Sequence, residues 1–418
     1  MTMPDPGGAL TISIHRSTAA VRIASTRPLG ATRVFIGKPV AEVAARLPLL
    51  YSICATAQAT ACVRASEQLL GLTPAPAVSV RRRLLLLAET AKEHLWRLLL
   101  DWPRALTPVT GGPAVDEAAL ATALRAYLTL RRAMTDADSL QPGARALTAF
   151  PSSAQAPLET LLGVARQRVF GEPPGEWLRL AASIGGLARW AQKGKTGPAS
   201  LVYIISRSNL ADLGRNPVPA FDLRPDDGVL DEIRDALAAA NADAFVGRPS
   251  IGGRAHETTP LAREVSRQGL VAELVARHGN GLLPRLGALL MELARTLAVL
   301  ETALDARTSN DFQAAWDTAT TSPLVSGSAS AAVAFADAAR GLLVHRLEGE
   351  DDRVRGYRIL APTEWNFHPD GVVVQGLAAI ARDLPSSADE ASLRDRAVLY
   401  VTAVDPCVPY RLVIDSRG

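Results

Sequence analysis

The chain has 418 residues, 48% of them apolar and 21% charged, enough to bury a sizeable core in one large domain or several smaller ones. Its 45 basic and 42 acidic side chains leave a net charge of +3, too even to point to nucleic acid as a partner. Three cysteines, odd in number, widely spaced and without a CxxC pair, exclude a disulfide framework and a four-cysteine zinc site.

The opening MTMPDPGGALTISIH lacks the charged start and long apolar core of a signal peptide, and no run of about 18 uncharged apolar residues follows. A cytoplasmic location without membrane contact is expected. Between residues 10 and 36 the runs LTISIH, AAVRIAS and TRVFIG read as two or three strands. From about Ala41 to Leu70 apolar residues recur at helical spacing, with a turn near LPLLYS, until Gly71, Pro74 and Pro76 stop the pattern. Arg81, Arg82 and Arg83 read as the solvated opening of a second helix, Val80 to Asp101, whose leucines share one face and which Trp102-Pro103 ends. Further helices are expected at about 115–135, 155–169, 176–192, 228–241, 258–278 and 283–306. Pro/Gly-rich connectors fall at 103–113, 171–175 and around 247–253.

Residues 340 to 375 return to strand-like alternation, and RGLLVHRLEGEDDRVRGYRIL predicts a hairpin turning at Glu348–Asp352. The sum is one α+β unit spanning 1–418. It has a β region at 10–40, a central helical bundle over 41–335, and a C-terminal part, 336–418, with the hairpin and an Asp-Pro-Cys motif. If the β-rich ends meet, Cys54 comes near Cys407.

Four islands in chain order resemble the large subunit of nickel–iron hydrogenases. Cys62-Val63-Arg64-Ala65-Ser66-Glu67 matches the string that follows the family's RxCGxC, and counting back places Cys54 at the second family cysteine. Tyr51 then stands at the first, and Gln58 where the family helix carries histidine. Glu257-Thr258-Thr259-Pro260-Leu261-Ala262-Arg263 is similar to an ETGPLAR-like string. Ala339-Arg340-Gly341 with Ala361-Pro362-Thr363-Glu364-Trp365-Asn366 matches the PRG hairpin and VPTTWN, and DPCVPY matches DPCxxC with Tyr410 at the last cysteine. The resemblance runs from about residue 10 to 415.

The family resemblance implies a hydrogenase-large-subunit-like fold, and the departures from it carry the functional expectation. Four thiolates hold the bimetallic centre in that family, whereas this chain keeps Cys54 at a bridging position and Cys407 at a nickel-only position. Tyrosine, with a phenol pKa near 10, is a poor substitute for a soft thiolate, so a nickel site is not completed. What the resemblance leaves is a half-site for the family's Fe(CN)2CO fragment, without nickel. Cys54 and Cys407 would hold the iron, Arg340 and Thr363 would face its cyanides, Asp405 would orient Arg340, and Pro362 would help exclude water.

Ala88 to Pro103, the VFGEPPGEWL stretch and Gln58 are more similar to HupK/HoxV-type hydrogenase assembly proteins than to hydrogenases themselves. That likeness implies a non-catalytic maturation scaffold. Its partners would be a HypC-like chaperone, the HypD-like assembly protein and the apo hydrogenase large subunit. The alternatives are a divergent hydrogenase and a metal-free structural relative. Cys62 reads as structural, His94 as a packing residue with one hydrogen bond, and Glu257–Arg263 as the start of a helix near Pro260. His256, His278, His345 and His368 show no ligand spacing.

Overall fold

The computed structural model describes residues 7–47, 50–51, 54–135, 139–145, 149–222, 228–305, 325–327, 330–385 and 387–415. Strands β1 (Leu10–His15) and β2 (Ala20–Ser25) pair antiparallel with Ile12 opposite Ile23. β1 buries Leu10, Ile12 and Ile14 and turns Thr11, Ser13 and His15 the other way, the period of two that LTISIH carries. TRVFIG forms no third strand. Ala31–Phe35 is a short 3-10 turn that buries Thr32 and Phe35, and Thr32 hydroxyl donates to the Tyr357 carbonyl.

Helix α1 (Val40–Arg46) leads toward α2 (Ala55–Leu70), which Gly71 caps in the left-handed conformation. The turn expected near LPLLYS lies partly outside the described residues. Helix α3 (Pro76–Trp96) does not stop at Trp102-Pro103. A π-helical turn, Arg97–Asp101, passes straight into α4 (Trp102–Thr110), so most of the expected 103–113 connector is helical. Proline is tolerated there because the π-helical turn makes room for its ring, and the Leu99 carbonyl four residues earlier accepts from Asp116 N–H at 3.0 Å instead.

Helices α5 (Glu117–Met134), α6 (Gln155–Ala165), α7 (Pro174–Leu180), α8 (Ile184–Lys193) and α9 (Gly197–Arg207) continue the bundle. The helix expected at 176–192 is thus two, parted at Ala181–Ser183. Ser183 caps the second by accepting from the Gly186 N–H. After α10 (Val229–Ala238) and α11 (Ala242–Gly247) come α12 (Pro260–Ser266) and α13 (Leu270–His278), two helices where one was expected, parted at Gly269. The long α14 (Leu282–Asp305) packs on α3, α7, α12 and α13 through Leu286, Leu289, Leu290, Leu293 and Leu297.

Strands β3 (Val325–Gly327), β4 (Ala331–Ala338), β5 (Gly341–Glu350) and β6 (Arg353–Leu360) form an antiparallel sheet, so the bundle ends before residue 335. The β5–β6 hairpin turns at Asp351–Asp352, both with positive φ. One face of this sheet packs on α2 through Leu343 and Leu347, the other on Ile233, Val246 and Trp365. Helices α15 (Pro362–Asn366), α16 (Val372–Asp383) and α17 (Glu390–Val404) follow, and β7 (Tyr410–Asp415) closes the chain. β7 lies parallel to β1 with Ile12 opposite Leu412, so the two ends meet. Among the described residues no helix is long and apolar enough to cross a membrane.

The arginine triplet also differs from expectation. It lies in the second turn of α3, and Arg82 is buried, with Nη1 2.9 Å from the Glu67 carboxylate. Its remaining N–H groups donate to the Ser139 and Gln141 carbonyls at 2.8 Å. Arg82→Met would strand the Glu67 charge in the core. Stability is expected to fall by about 3–5 kcal/mol, read from denaturant unfolding of the whole chain.

Candidate functional site

Segments carrying three of the four sequence islands line one cavity of about 260 Å³, smaller than the roughly 300–1,000 Å³ usual for drug-sized ligands, and the remaining one, Glu257–Arg263, does not line it. Arg27 to Ala31, Tyr51, Cys54 and Gln58 line one side. Glu89 and Glu93 of α3, Arg340 at the β4–β5 turn, Pro362 of α15, and Cys407 to Pro409 line the others.

Cys54 is the residue on which α2 starts, and its own side chain does not cap the helix. The free N–H groups of Thr56 and Ala57 instead donate to the Glu89 carboxylate of α3 at 2.8 and 3.0 Å, which fixes the helix start against α3. Burial pushes the Cys54 thiol up to about 12, and charge on Cys407 and Glu89 adds to the shift. Gln58, one turn along, places Nε2 3.7 Å from the Cys54 sulfur.

Cys407 arrives from the other end of the chain. α17 ends at Asp405, whose φ of +68° turns the backbone toward the pocket. The Cys407 sulfur then lies 2.8 Å from the Thr363 hydroxyl and accepts from Arg27 Nη1 at 3.3 Å. Arg27 is held in turn by Glu364, Nε to Oε1 2.6 Å. Pro362 opens α15 and sets Thr363 and Glu364 in its first turn.

Arg340 is anchored from two sides. Its Nη1 donates to Glu93 Oε2 at 2.9 Å, and its Nε lies 3.0 Å from Asp405 Oδ2. That second contact is an ion pair off the line a hydrogen bond needs, since neither atom completes one. Burial opposes the guanidinium charge, but Asp405, Glu93 and Cys407 outweigh it and keep the group cationic. Asp405 also sits 3.3 Å from Arg97 Nε. Gly341 has a φ of +142°, and a Cβ there would fall 2.6 Å from the Thr258 hydroxyl and 2.7 Å from its carbonyl oxygen. Only glycine lets the Arg340 turn seat on the ETTPLAR segment.

Cys54, Cys407, Arg340 and Pro362 thus line a common pocket, with Thr363 bonded to Cys407 and Asp405 ion-paired with Arg340 behind them. Tyr51 lines it too, its phenol pushed up to about 12 by burial. Tyr410 lies outside it, pairing in β7 and packing against the apolar cluster of β1, α16 and α17. Among the described residues no group of three or more His, Cys, Asp or Glu side chains could hold a metal ion.

The helix expected near Pro260 starts there, but Thr259 does not cap it. Its hydroxyl donates to Glu257, which is buried against Arg285. His94 is buried with Nε2 2.7 Å from Glu292, and Cys62 is fully buried. Sequence reasoning missed Arg27, Glu89 and Glu93. The two glutamates carried a signal, a four-residue spacing that puts both on one face of α3. Arg27, in a turn after β2, carried none.

Because the Cys54 thiol is neutral near pH 8, its alkylation by iodoacetamide is expected to be slow there. It should then rise by about tenfold per pH unit up to its value near 12, followed by mass spectrometry of the Cys54 peptide. Gly341→Ala is expected to push the Arg340 turn off Thr258 and lower the melting temperature.

No family model matches the chain. Over 403 residues it is 33% identical to the hydrogenase expression/formation protein HoxV of Cupriavidus necator, covering 93% of this chain and 91% of that one. It is 29% identical to the hydrogenase expression/formation protein HupK of Rhizobium leguminosarum bv. viciae, over 96% of this chain and 95% of that one. The HupK of Azotobacter vinelandii is also 29% identical, over 97% and 98%. The nickel–iron–selenium hydrogenase of D. vulgaris Hildenborough matches the backbone with a TM-score of 0.56 at 16% identity, over 93% of each chain. An NAD+-reducing nickel–iron hydrogenase matches with a TM-score of 0.55 at 18% identity, over 94% of each. The fold is therefore that of a nickel–iron hydrogenase large subunit, and the chain belongs to the HupK/HoxV family of hydrogenase expression/formation proteins.

Proposed function

We propose that this chain is a non-catalytic scaffold of nickel–iron hydrogenase maturation that binds the Fe(CN)2CO fragment as cargo, through Cys54 and Cys407. The observation that carries the reading is the convergence of these two thiols, from opposite ends of the chain, on one small cavity.

The donor set suits that cargo. Two sulfurs are soft ligands for a low-spin iron. The Thr363 hydroxyl and the Arg27 and Arg340 guanidiniums supply hydrogen-bond donors beside them, as cyanide nitrogens would need. Glu364, Glu93 and Asp405 keep both guanidiniums in place, so the donors are positioned before the cargo arrives. Ala338, Ala339, Ile359, Ala361 and Pro362 supply an apolar wall that limits water.

The same pocket argues against a nickel centre. The phenol of Tyr51, pushed up to about 12, stays protonated at neutral pH, and Tyr410 lies outside the cavity. With only two thiols, the site has no second pair for nickel. Cargo would pass between a HypC-like chaperone or HypD-like assembly protein and the apo hydrogenase large subunit, in the cytoplasm.

A thiol must lose its proton to ligate iron, so capture releases the Cys54 proton and weakens as pH falls. Protein isolated anaerobically from cells expressing the maturation machinery is expected to show infrared bands of bound CO and cyanide. Cys54→Ala with Cys407→Ala should abolish them. Bands that persist in the double variant would reject these ligands. A chain that never carries iron, yet docks stably on another subunit, would favour the metal-free structural reading.

A further inference from the structure

Behind Cys54 a chain of buried polar side chains leaves α2 and crosses to the β3–β6 sheet. Gln58 places Nε2 3.7 Å from the Cys54 sulfur and Oε1 2.9 Å from His345 Nε2 on β5. His345 Nδ1 lies 2.8 Å from the Tyr357 hydroxyl on β6. Gln58, His345 and Tyr357 are at most 5% exposed. Among the described residues, no other partner completes the two ring nitrogens of His345.

The direction of these hydrogen bonds is collective. Burial lowers the His345 pKa to about 3, so the ring is neutral, with one N–H and one bare nitrogen. An amide has one donor end and one acceptor end, and a phenol has a single proton. Only two consistent arrangements exist. In one, Tyr357 donates to His345 Nδ1, His345 Nε2–H to Gln58 Oε1, and Gln58 Nε2–H to the Cys54 sulfur. In the other, every proton is reversed, the Gln58 amide turns over and Cys54 donates its own proton inward. The amide orientation found here belongs to the first.

We infer that Gln58, His345 and Tyr357 are positioning residues that hold the Cys54 sulfur as a hydrogen-bond acceptor, with its lone pairs committed as a metal-bound sulfur requires. The Tyr357 hydroxyl is the far terminus of this relay. With the amide donor on the sulfur, the thiol proton is turned away from Gln58, and on capture of a metal it passes to water. Binding of any thiophilic metal then locks the relay in the first arrangement, because a ligating sulfur has no proton to give back. The inference rests on Cys54 being a ligand, as proposed above, but its core is readable without iron.

Two measurements on the full-length apo chain test it. Nitrogen-15 NMR of labelled histidine, with the His345 signal assigned by its loss in His345→Gln, is expected to show the Nε2–H tautomer. The Nδ1–H tautomer would overturn the relay while leaving Cys54 free to be a ligand. Cadmium serves as the second probe, followed by its thiolate absorption. Tyr357→Phe, which removes one oxygen and keeps the ring, is expected to weaken cadmium binding by roughly tenfold. In a Cys54→Ala background the same substitution should have no effect. An equal loss in both backgrounds would reduce Tyr357 to core packing and overturn the inference. Failure of the unsubstituted chain to bind cadmium would remove the ligand pair and the sulfur-positioning role, while the His345 tautomer would still decide the direction of the hydrogen bonds.

Discussion

The parallel pairing of β7 with β1 is the constraint from which the site follows. Cys54 begins a helix packed on the β3–β6 sheet, while Cys407 hangs from α17, in the cluster around β1 and α16. These are separate apolar clusters, and neither thiol could find the other by local structure. Tyr410 N and Leu10 lie side by side because β7 adds to the edge of β1, and the Asp-Pro-Cys segment just before β7 is thereby drawn over the start of α2. A parallel pair needs a long crossover, and here nearly the whole protein serves as one.

On that frame the pocket is organised by charges that are almost all matched. Arg27 answers Glu364, Arg340 answers Glu93 and Asp405, and Arg97 approaches Asp405 from behind. Such pairs are weak as a source of stability, since desolvation cancels much of their attraction. Their value lies in geometry: a buried guanidinium with two carboxylate partners has one position. Burial keeps the Cys54 thiol protonated, so beside these charges stands a neutral sulfur. Polar side chains thus hold fixed places around it.

Much of this was legible in the sequence where one signal dominated. LTISIH alternates with a period of two and is a strand, and the leucines of α3 and α14 recur at helical spacing. The ends of elements were harder. Trp102-Pro103 reads as a stop, yet the π-helical turn before it absorbs the mismatch, and Asp116 N–H satisfies the Leu99 carbonyl that the proline cannot. Helices α9, α11, α15, α16 and α17 went unread, and the strand-like reading of 340–375 overran α15 and the start of α16. α17 buries Leu393, Ala397, Leu399, Tyr400, Val401 and Ala403 around most of its circumference, so no polar face marks its period. Its cap was visible, since Asp389 accepts from the Ser392 N–H. For the site, the islands around Cys54, Arg340, Pro362 and Cys407 pointed to one place. Arg27 could not be found that way, because its role comes from tertiary contact with Glu364 and Cys407. The Arg82 triplet misled because its partner Glu67 is fifteen residues away on another helix.

The pairing of Leu10 with Tyr410 joins strands 400 residues apart in the chain. At ordinary rates of translation, roughly 5–20 residues per second, the second strand leaves the ribosome on the order of 20–80 seconds after the first. During that interval β1 has an open edge, and Cys54 has no opposing wall. A nascent chain therefore has only one side of the pocket, and the cavity comes into being in a single late step, when synthesis has passed the Asp-Pro-Cys segment. Contacts of such long range are slow to form, which makes the moment of closure, rather than the appearance of either cysteine, the point at which the cavity exists.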